Sequence, residues 1–170
     1  GIADFTPALA LDGGEGNDTL DLGATNFTTL TYGTNNETVT STGSVANFIF
    51  DGRSLIANRV DVTRPDANHI TITDVTNIGT NTITIKDPTA SLTINTGYNL
   101  PLTTEYVHLT NIGNLNANLT INSGSLNKSW DGADSVVIEG ALTLTGHSLD
   151  VTAETIEVKN TISTSYGAGA

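Results

Sequence analysis

The chain has 170 residues, enough for one domain, and six Lys and Arg residues stand against eighteen Asp and Glu, giving a formal charge of −12 at pH 7. This balance excludes nucleic acid as a partner, because a phosphate backbone is held by clustered basic residues and the six here are scattered. The absence of cysteine excludes disulfides, zinc–thiolate sites and iron–sulfur clusters. No apolar run reaches the roughly 18 residues of a membrane span and no targeting leader opens the chain, so we expect neither feature.

The first element in chain order is a glycine-rich turn at residues 13–21, GGEGNDTLD, which matches the nine-residue calcium-binding pattern G-G-x-G-x-D-x-U-x. Glycines permit positive φ and direct carbonyl oxygens at an ion, while the Asp supplies charge and the apolar residue packs inward. The pattern predicts Ca²⁺ as cofactor, and its ligands are Asp12, Gly14, Glu15, Gly16, Asp18 and Asp21. Residues 22–30 hold no second copy, so a plain Asp/Gly turn before a strand stays open as the alternative.

The section from residue 24 to residue 66 is irregular. Candidate strands lie at 28–31, 38–40, 48–50 and 55–62, separated by long spacers. They are compatible with irregular turns of a coiled β-structure that carries loops. Antiparallel hairpins, with a turn at residues 34–36, that would build a sandwich are the alternative.

The section from residue 67 to residue 170 is a series of short segments that alternate Val, Ile or Leu with Thr, Ser or Asn. From residue 136 to residue 164 they recur every six or seven residues, which is too close for a sandwich and typical of the sides of a β-helix. A turn of about 20 residues would contain three such segments. We therefore predict an all-β parallel β-solenoid (β-helix) in one domain, divided into sections 1–23, 24–66 and 67–170, with an antiparallel β-sandwich as the alternative. The candidate strands are 70–73, 82–85, 91–94, 118–121, 136–138, 142–145, 149–152, 155–158 and 161–164.

Two segments resemble known families. Residues 10–22 look like the calcium-binding repeat of RTX proteins, and residues 130–158 resemble the β-helical repeats of giant bacterial surface proteins, including filamentous-haemagglutinin-like adhesins. The resemblance implies an extracellular or bacterial cell-surface location and a structural or adhesive role. Because an uncapped solenoid exposes strand edges at both ends, we also expect head-to-tail self-association into a fibre, or stacking on neighbouring repeats of a longer chain.

No catalytic constellation is apparent, so we predict that the chain is not an enzyme. The nearest approximations to the acid clusters of β-helix hydrolases are Arg59, Asp61, Arg64 and Asp66, or Lys86 with Asp87. Arg59 and Asp61 share one face of a strand and are interpreted as a surface ion pair. The histidines, His69, His108 and His147, are far apart and show no metal-site spacing.

Three further sequence features suggest other functions. The alternative function is carbohydrate binding to surface glycans, for which the aromatic platforms are Tyr32, Tyr98, Tyr106 and Trp130. Asp131 and Asp134 could form a second calcium turn, although an Asp-Gly turn before a strand is the simpler interpretation. Thr-x-Thr pairs resemble those of ice-binding solenoids, but their irregular spacing favours ordinary outward strand faces. They are Thr71/Thr73, Thr82/Thr84, Thr143/Thr145 and Thr161/Ser163.

Overall fold

The computed structural model describes residues 18–32, 37–52, 57–76, 79–96, 104–123 and 134–164. Within these ranges the chain forms β-strands and no helix, so the predicted all-β class is confirmed. No helix in the described residues is long and apolar enough to span a membrane. The strands are β1 (Asp18–Asp21), β2 (Phe27–Tyr32), β3 (Glu37–Ser41), β4 (Val45–Asp51), β5 (Ala57–Asp66), β6 (His69–Thr76), β7 (Gly79–Lys86), β8 (Ser91–Asn95), β9 (Tyr106–Thr110), β10 (Gly113–Asn114), β11 (Asn118–Asn122), β12 (Ser135–Ile138), β13 (Leu142–Thr143), β14 (Leu149–Thr152), β15 (Thr155–Val158) and β16 (Ile162–Ser163).

The strands form three sheets. Sheet A has the order β1-β3-β7-β6-β5-β9-β12-β15, sheet B the order β14-β11-β8-β4-β2, and sheet C the order β10-β13-β16. Along the chain, a strand of sheet A is repeatedly followed by one of sheet B, with a two-residue strand of sheet C between them in the later passages. Of the thirteen strand pairs among the described residues, all but β5–β6 and β6–β7 are parallel. The predicted parallel sheets are therefore present.

The antiparallel alternative applies to one part of the chain only. The hairpin expected around residues 34–36 is wrong, because the flanking strands β2 and β3 lie in different sheets; the turn residues themselves are outside the described ranges. Antiparallel pairing occurs instead where β6 lies between β5 and β7. A β-sandwich built from antiparallel hairpins does not describe these sheets.

Apolar side chains stack in columns between the sheets. The parallel register of sheet B aligns one residue from each of its five strands, and the inner members of these columns are buried. Burial of stacked Val, Ile, Leu and Phe side chains is the main stabilising contribution, roughly 1.5–3 kcal/mol for each one fully buried. The two columns of sheet B are Leu30, Phe48, Leu92, Leu119, Leu149 and Tyr32, Phe50, Ile94, Ile121, Val151.

Threonines line the outer face of sheet A. The Thr71/Thr73 and Thr82/Thr84 pairs point outward as predicted, and the register places them side by side, with 3.0 Å between the Oγ1 atoms of Thr71 and Thr84. The same rows continue on neighbouring strands, although the spacing in the sequence is irregular. Cross-strand Thr pairs of this kind stabilise a sheet modestly. The two rows are Thr19, Thr38, Thr82, Thr73 and Thr40, Thr84, Thr71, Thr63, Thr110.

Two corner glycines mark where consecutive passages of the backbone touch. A Cβ atom on Gly43 would lie 1.8 Å from the carbonyl oxygen of Thr25, and one on Gly140 would lie 2.4 Å from the backbone nitrogen of Asn111. The N–H groups of Thr42 and Gly43 both donate to the carbonyl of Gly23. Such close approach needs a residue without a side chain.

Arg64 bridges the place where sheet A gains two strands. Strands β8 and β11 are neighbours in sheet B, whereas β6 and β5 separate β7 from β9 in sheet A. The guanidinium group of Arg64 pairs with Asp87, which follows β7, and donates to the carbonyls of Ile112 and Asn114, which follow β9. Only 12% of its side chain is exposed. Arg64 therefore joins the corners on both sides of the inserted strands, a role that the sequence did not indicate.

Replacing Arg64 by Ala should lower the free energy of unfolding by about 2–4 kcal/mol, because it leaves the half-buried Asp87 carboxylate and two carbonyls without their donor. Arg64→Lys should recover part of this loss, since one ammonium cannot reach all the acceptors. The matched control is Arg59→Ala, whose ion pair is more exposed and is worth about 1 kcal/mol or less. Urea denaturation measures all three, and equal losses for Arg64→Ala and Arg59→Ala would contradict this role.

Candidate functional site

The predicted calcium turn is only partly within the described residues. Asp12, Gly14, Glu15 and Gly16 lie outside them, whereas Asp18 begins β1 and Asp21 ends it. One carboxylate oxygen of Asp21 accepts the N–H of Gly23 at 2.8 Å and the hydroxyl of Thr40 at 3.3 Å. Asp21 thus closes a local turn and joins β1 to β3. Across the described ranges, no group of three His, Asp or Glu side chains is arranged to hold a metal ion.

Acidic residues stack at the start of three strands of sheet A. Asp134 is fully buried, and its Oδ1 accepts the backbone N–H of Glu105 at 2.8 Å. In the next passage Oε2 of Glu154 accepts the backbone N–H of Asp134 at 3.0 Å. The carboxylates of Asp134 and Glu154 therefore each accept a backbone N–H from the passage before. This favours the turn interpretation of Asp134 over a second calcium site; Asp131 lies outside the described residues.

The same inner edge of sheet A carries further polar side chains. Next to the apolar column on this face, the residue two positions earlier is Asp18 in β1 and Asn81 in β7, and in antiparallel β6 the residue two positions later is Asp74. Asp74 and Asn81 are fully buried, and Asn81 Nδ2 lies 3.3 Å from Asp74 Oδ2. Burial raises the pKa of Asp74 from 3.8 to about 6. Asp74 was not among the predicted site residues, although it shares the inward face of its strand with Ile70 and Ile72, which is a signal present in the sequence.

A polar cluster lies on the outer face of sheet A, across β5, β9 and the end of β12. Arg59 Nε lies 2.9 Å from Asp61 Oδ2, with 53% of the Arg59 side chain exposed, so the predicted surface ion pair is confirmed. His108 extends the cluster, because its Nδ1 lies 3.4 Å from Asp61 and its Nε2 lies 2.8 Å from Glu139. Since the two ring nitrogens point to different carboxylates, these groups do not converge on one ion.

The other residues that were considered for catalysis are separated in the structure. Arg64 and Asp87 form the corner contact described above, and Asp66 pairs with His69 at 2.8 Å. The N–H of Asn68 and then the His69 ring lower the pKa of Asp66. His147 contacts the amide of Asn116 at 3.2 Å. The sheet register thus gives His69 and His108 carboxylate partners that sequence spacing did not reveal.

The aromatic side chains do not form a platform in the described part of the chain. Tyr32 stacks on Phe50 in sheet B, with ring centroids 6.4 Å apart. Tyr106 is in sheet A, where the Arg59 guanidinium lies over its ring at 5.8 Å. Tyr98 and Trp130 lie outside the described residues. The two visible tyrosines are in different sheets, and a cation already occupies one face of Tyr106.

The most exposed apolar surface lies at the last strand of sheet A. Ile156 and Val158 of β15 are 48% and 49% exposed, whereas their register partners Val136 and Ile138 in β12 are 0% and 1% exposed. Among the described strands, β15 pairs with β12 alone, so the backbone groups along its other edge face no described strand. The strands at the corresponding edges of sheets B and C, β14 and β16, likewise carry apolar residues that are only partly buried. These are Leu149, Val151 and Ile162.

Comparison with protein-family models, with curated proteins and with solved structures finds no match to this chain.

Proposed function

We propose that the chain is a β-solenoid that serves as a structural or adhesive segment of a secreted bacterial cell-surface protein. In this proposal each sheet A to sheet B passage is one turn of the coil, and the turns stack along the column axis. The parallel register supports it, since Val136 pairs with Ile156, 20 residues later, and Val107 pairs with Val136, 29 residues later, so that the turns differ in length but keep one stacking direction. The β5–β6 strands are then an insertion into one turn.

End-to-end docking through the β15 edge is the functional core of the proposal. The exposure of Ile156 and Val158 carries it, because the same two columns are completely buried one turn earlier. A strand added in parallel to β15 would bury both side chains and pair the backbone groups that face no described strand. The added strand would come from the next repeat of a longer chain or from a second copy of this one.

Carbohydrate binding is the weaker of the two functions. It needs exposed ring faces that share a groove, whereas Tyr32 packs against Phe50 and Tyr106 lies beneath Arg59. The outer face of sheet A instead offers rows of threonines and ion pairs that are already satisfied by one another.

Replacing Val158 by Lys should weaken self-association, because the charge would be trapped against the apolar column of the docking strand. Light scattering across a concentration series should show the mass of the unmodified chain rising, while Val158→Lys stays close to the 17.7 kDa monomer. The control is Glu157→Gln, which lies on the same strand but points outward and should associate like the unmodified chain. A monomeric mass for the unmodified chain at every concentration would contradict the docking proposal.

We also propose that Ca²⁺ binds the turn before β1, through Asp12, Gly14, Glu15, Gly16, Asp18 and Asp21. Of the two residues described, Asp21 already uses Oδ1 in the turn, so Oδ2 is its free ligand atom. The ion would then stabilise the entry to the first strand.

If this is correct, calcium at a hundred times its dissociation constant should stabilise the fold by about 2.7 kcal/mol, and a chelator should remove the gain. Thermal denaturation with and without calcium measures the effect. Asp18→Asn should abolish it, whereas Asp150→Asn, an exposed carboxylate on β14, should preserve it. An identical calcium response in both variants would place the ion elsewhere.

A further inference from the structure

Asp74 occupies a core position in β6, which lies between β5 and β7 and pairs antiparallel with both. Along β6 the side chains of Ile70, Ile72 and Asp74 alternate inward, and all three have 0% exposure. In the sheet, Asp74 is paired with Val60 in β5 and with Asn81 in β7. A carboxyl group therefore stands where the pattern of the strand calls for an apolar residue.

The Asp74 carboxyl group is poorly compensated for a buried charge. Its Oδ2 accepts one long hydrogen bond, from Asn81 Nδ2 at 3.3 Å, and its Oδ1 accepts none. The ion pairs found among the described residues leave it out: Arg59 pairs with Asp61, and Arg64 with Asp87. Burial of an ionised carboxylate without a cation is costly, whereas a neutral carboxyl is tolerated far better.

Among the described residues, the side chains that face Asp74 from the adjacent strands carry no positive charge. On β5 the facing residue is Val60, and on β7 it is Asn81, so neither adjacent strand presents an ionisable side chain at this level. Farther along the same inner edge lie Glu105 and Asp134, both buried and acidic. Burial is the main cause of the raised pKa of Asp74, and the hydrogen bond from Asn81 opposes it.

We propose that Asp74 is a proton-operated latch: it is protonated when the inserted strands β5 and β6 are tightly packed against β7, and its ionisation near neutral pH loosens that packing. This function is independent of the docking and calcium proposals. The sign follows from linkage, because the pKa of Asp74 is raised by burial from 3.8 to about 6 in the folded chain. Stability from this group is therefore complete below about pH 3.8, is lost progressively up to about pH 6, and is constant above that.

The test is the melting temperature between pH 4 and pH 8 for the unmodified chain, Asp74→Asn and Asp150→Asn. The unmodified chain and the exposed control Asp150→Asn should lose roughly 4–10 °C more than Asp74→Asn between pH 4 and pH 6.5. Asp74→Asn should also melt higher than the unmodified chain at pH 7.5, since it cannot ionise. A pH slope in Asp74→Asn equal to that of the unmodified chain would overturn the proposal.

Two further readouts keep the test decisive should the variant fold poorly. Carbon-13 NMR of the unmodified chain should show the Asp74 carboxyl titrating near pH 6, and titration below pH 4.5 would refute the latch. Hydrogen exchange, corrected for intrinsic rates, should show β6 amides opening at least tenfold faster at pH 7.5 than at pH 5. If calcium at pH 7.5 protects these amides in the unmodified chain but not in Asp74→Asn, the carboxylate binds a cation instead and the proton latch is wrong.

Discussion

Parallel backbone pairing between strands of successive passages is the interaction on which the rest of this structure depends. It fixes the register, and the register in turn aligns side chains of the same kind into columns. Leu92 lies between Phe48 and Leu119 on the inner face, and Thr84 lies between Thr40 and Thr71 on the outer face. Side chains in the middle of a column are buried by neighbours on both sides, whereas those in the last strand have a neighbour on one side only. Ile156 and Val158 are in the last strand of sheet A and are exposed.

The inserted strands β5 and β6 show how this repeating scheme accommodates an irregularity. In sheet A the two inserted strands separate β7 from β9, whereas the corresponding strands β8 and β11 of sheet B are direct neighbours. The guanidinium group of Arg64 connects the segments that follow β7 and β9. The insertion also brings a carboxyl group, Asp74, into the core. Stacks of this kind rely on contacts between neighbouring passages, so an irregular passage is the natural place for locally lower stability.

Much of the fold could be predicted from the sequence because alternation of apolar and hydroxyl-bearing residues is a local signal. The segments expected at 82–85, 91–94, 118–121 and 155–158 all fall in strands of the structure. What the sequence did not reveal was which strands pair. The partners of β5, for example, are the adjacent strand β6 and the distant strand β9, and no local pattern distinguishes such choices.

The contacts of the site residues also fall into two groups: those that a local sequence pattern predicts and those that depend on strand pairing. The ion pair of Arg59 and Asp61 was predictable because two residues on one strand share a face. His108 contacts Glu139, which is 31 positions away in the sequence, and Arg64 contacts Asp87, which is 23 positions away. Neither contact could be predicted without knowing the strand register. Asp74 could have been recognised from its parity with Ile70 and Ile72, but its burial follows only from its central place in the insertion.

The central claim, that the free edge of β15 is a docking surface, is tested most directly by residue-resolved hydrogen exchange of β15 at increasing protein concentration. The account predicts that amides of residues 155–158 become protected as concentration rises, while the amides of β6 in the interior of sheet A do not change. Exchange of β15 that is independent of concentration, up to the solubility limit, would contradict this claim.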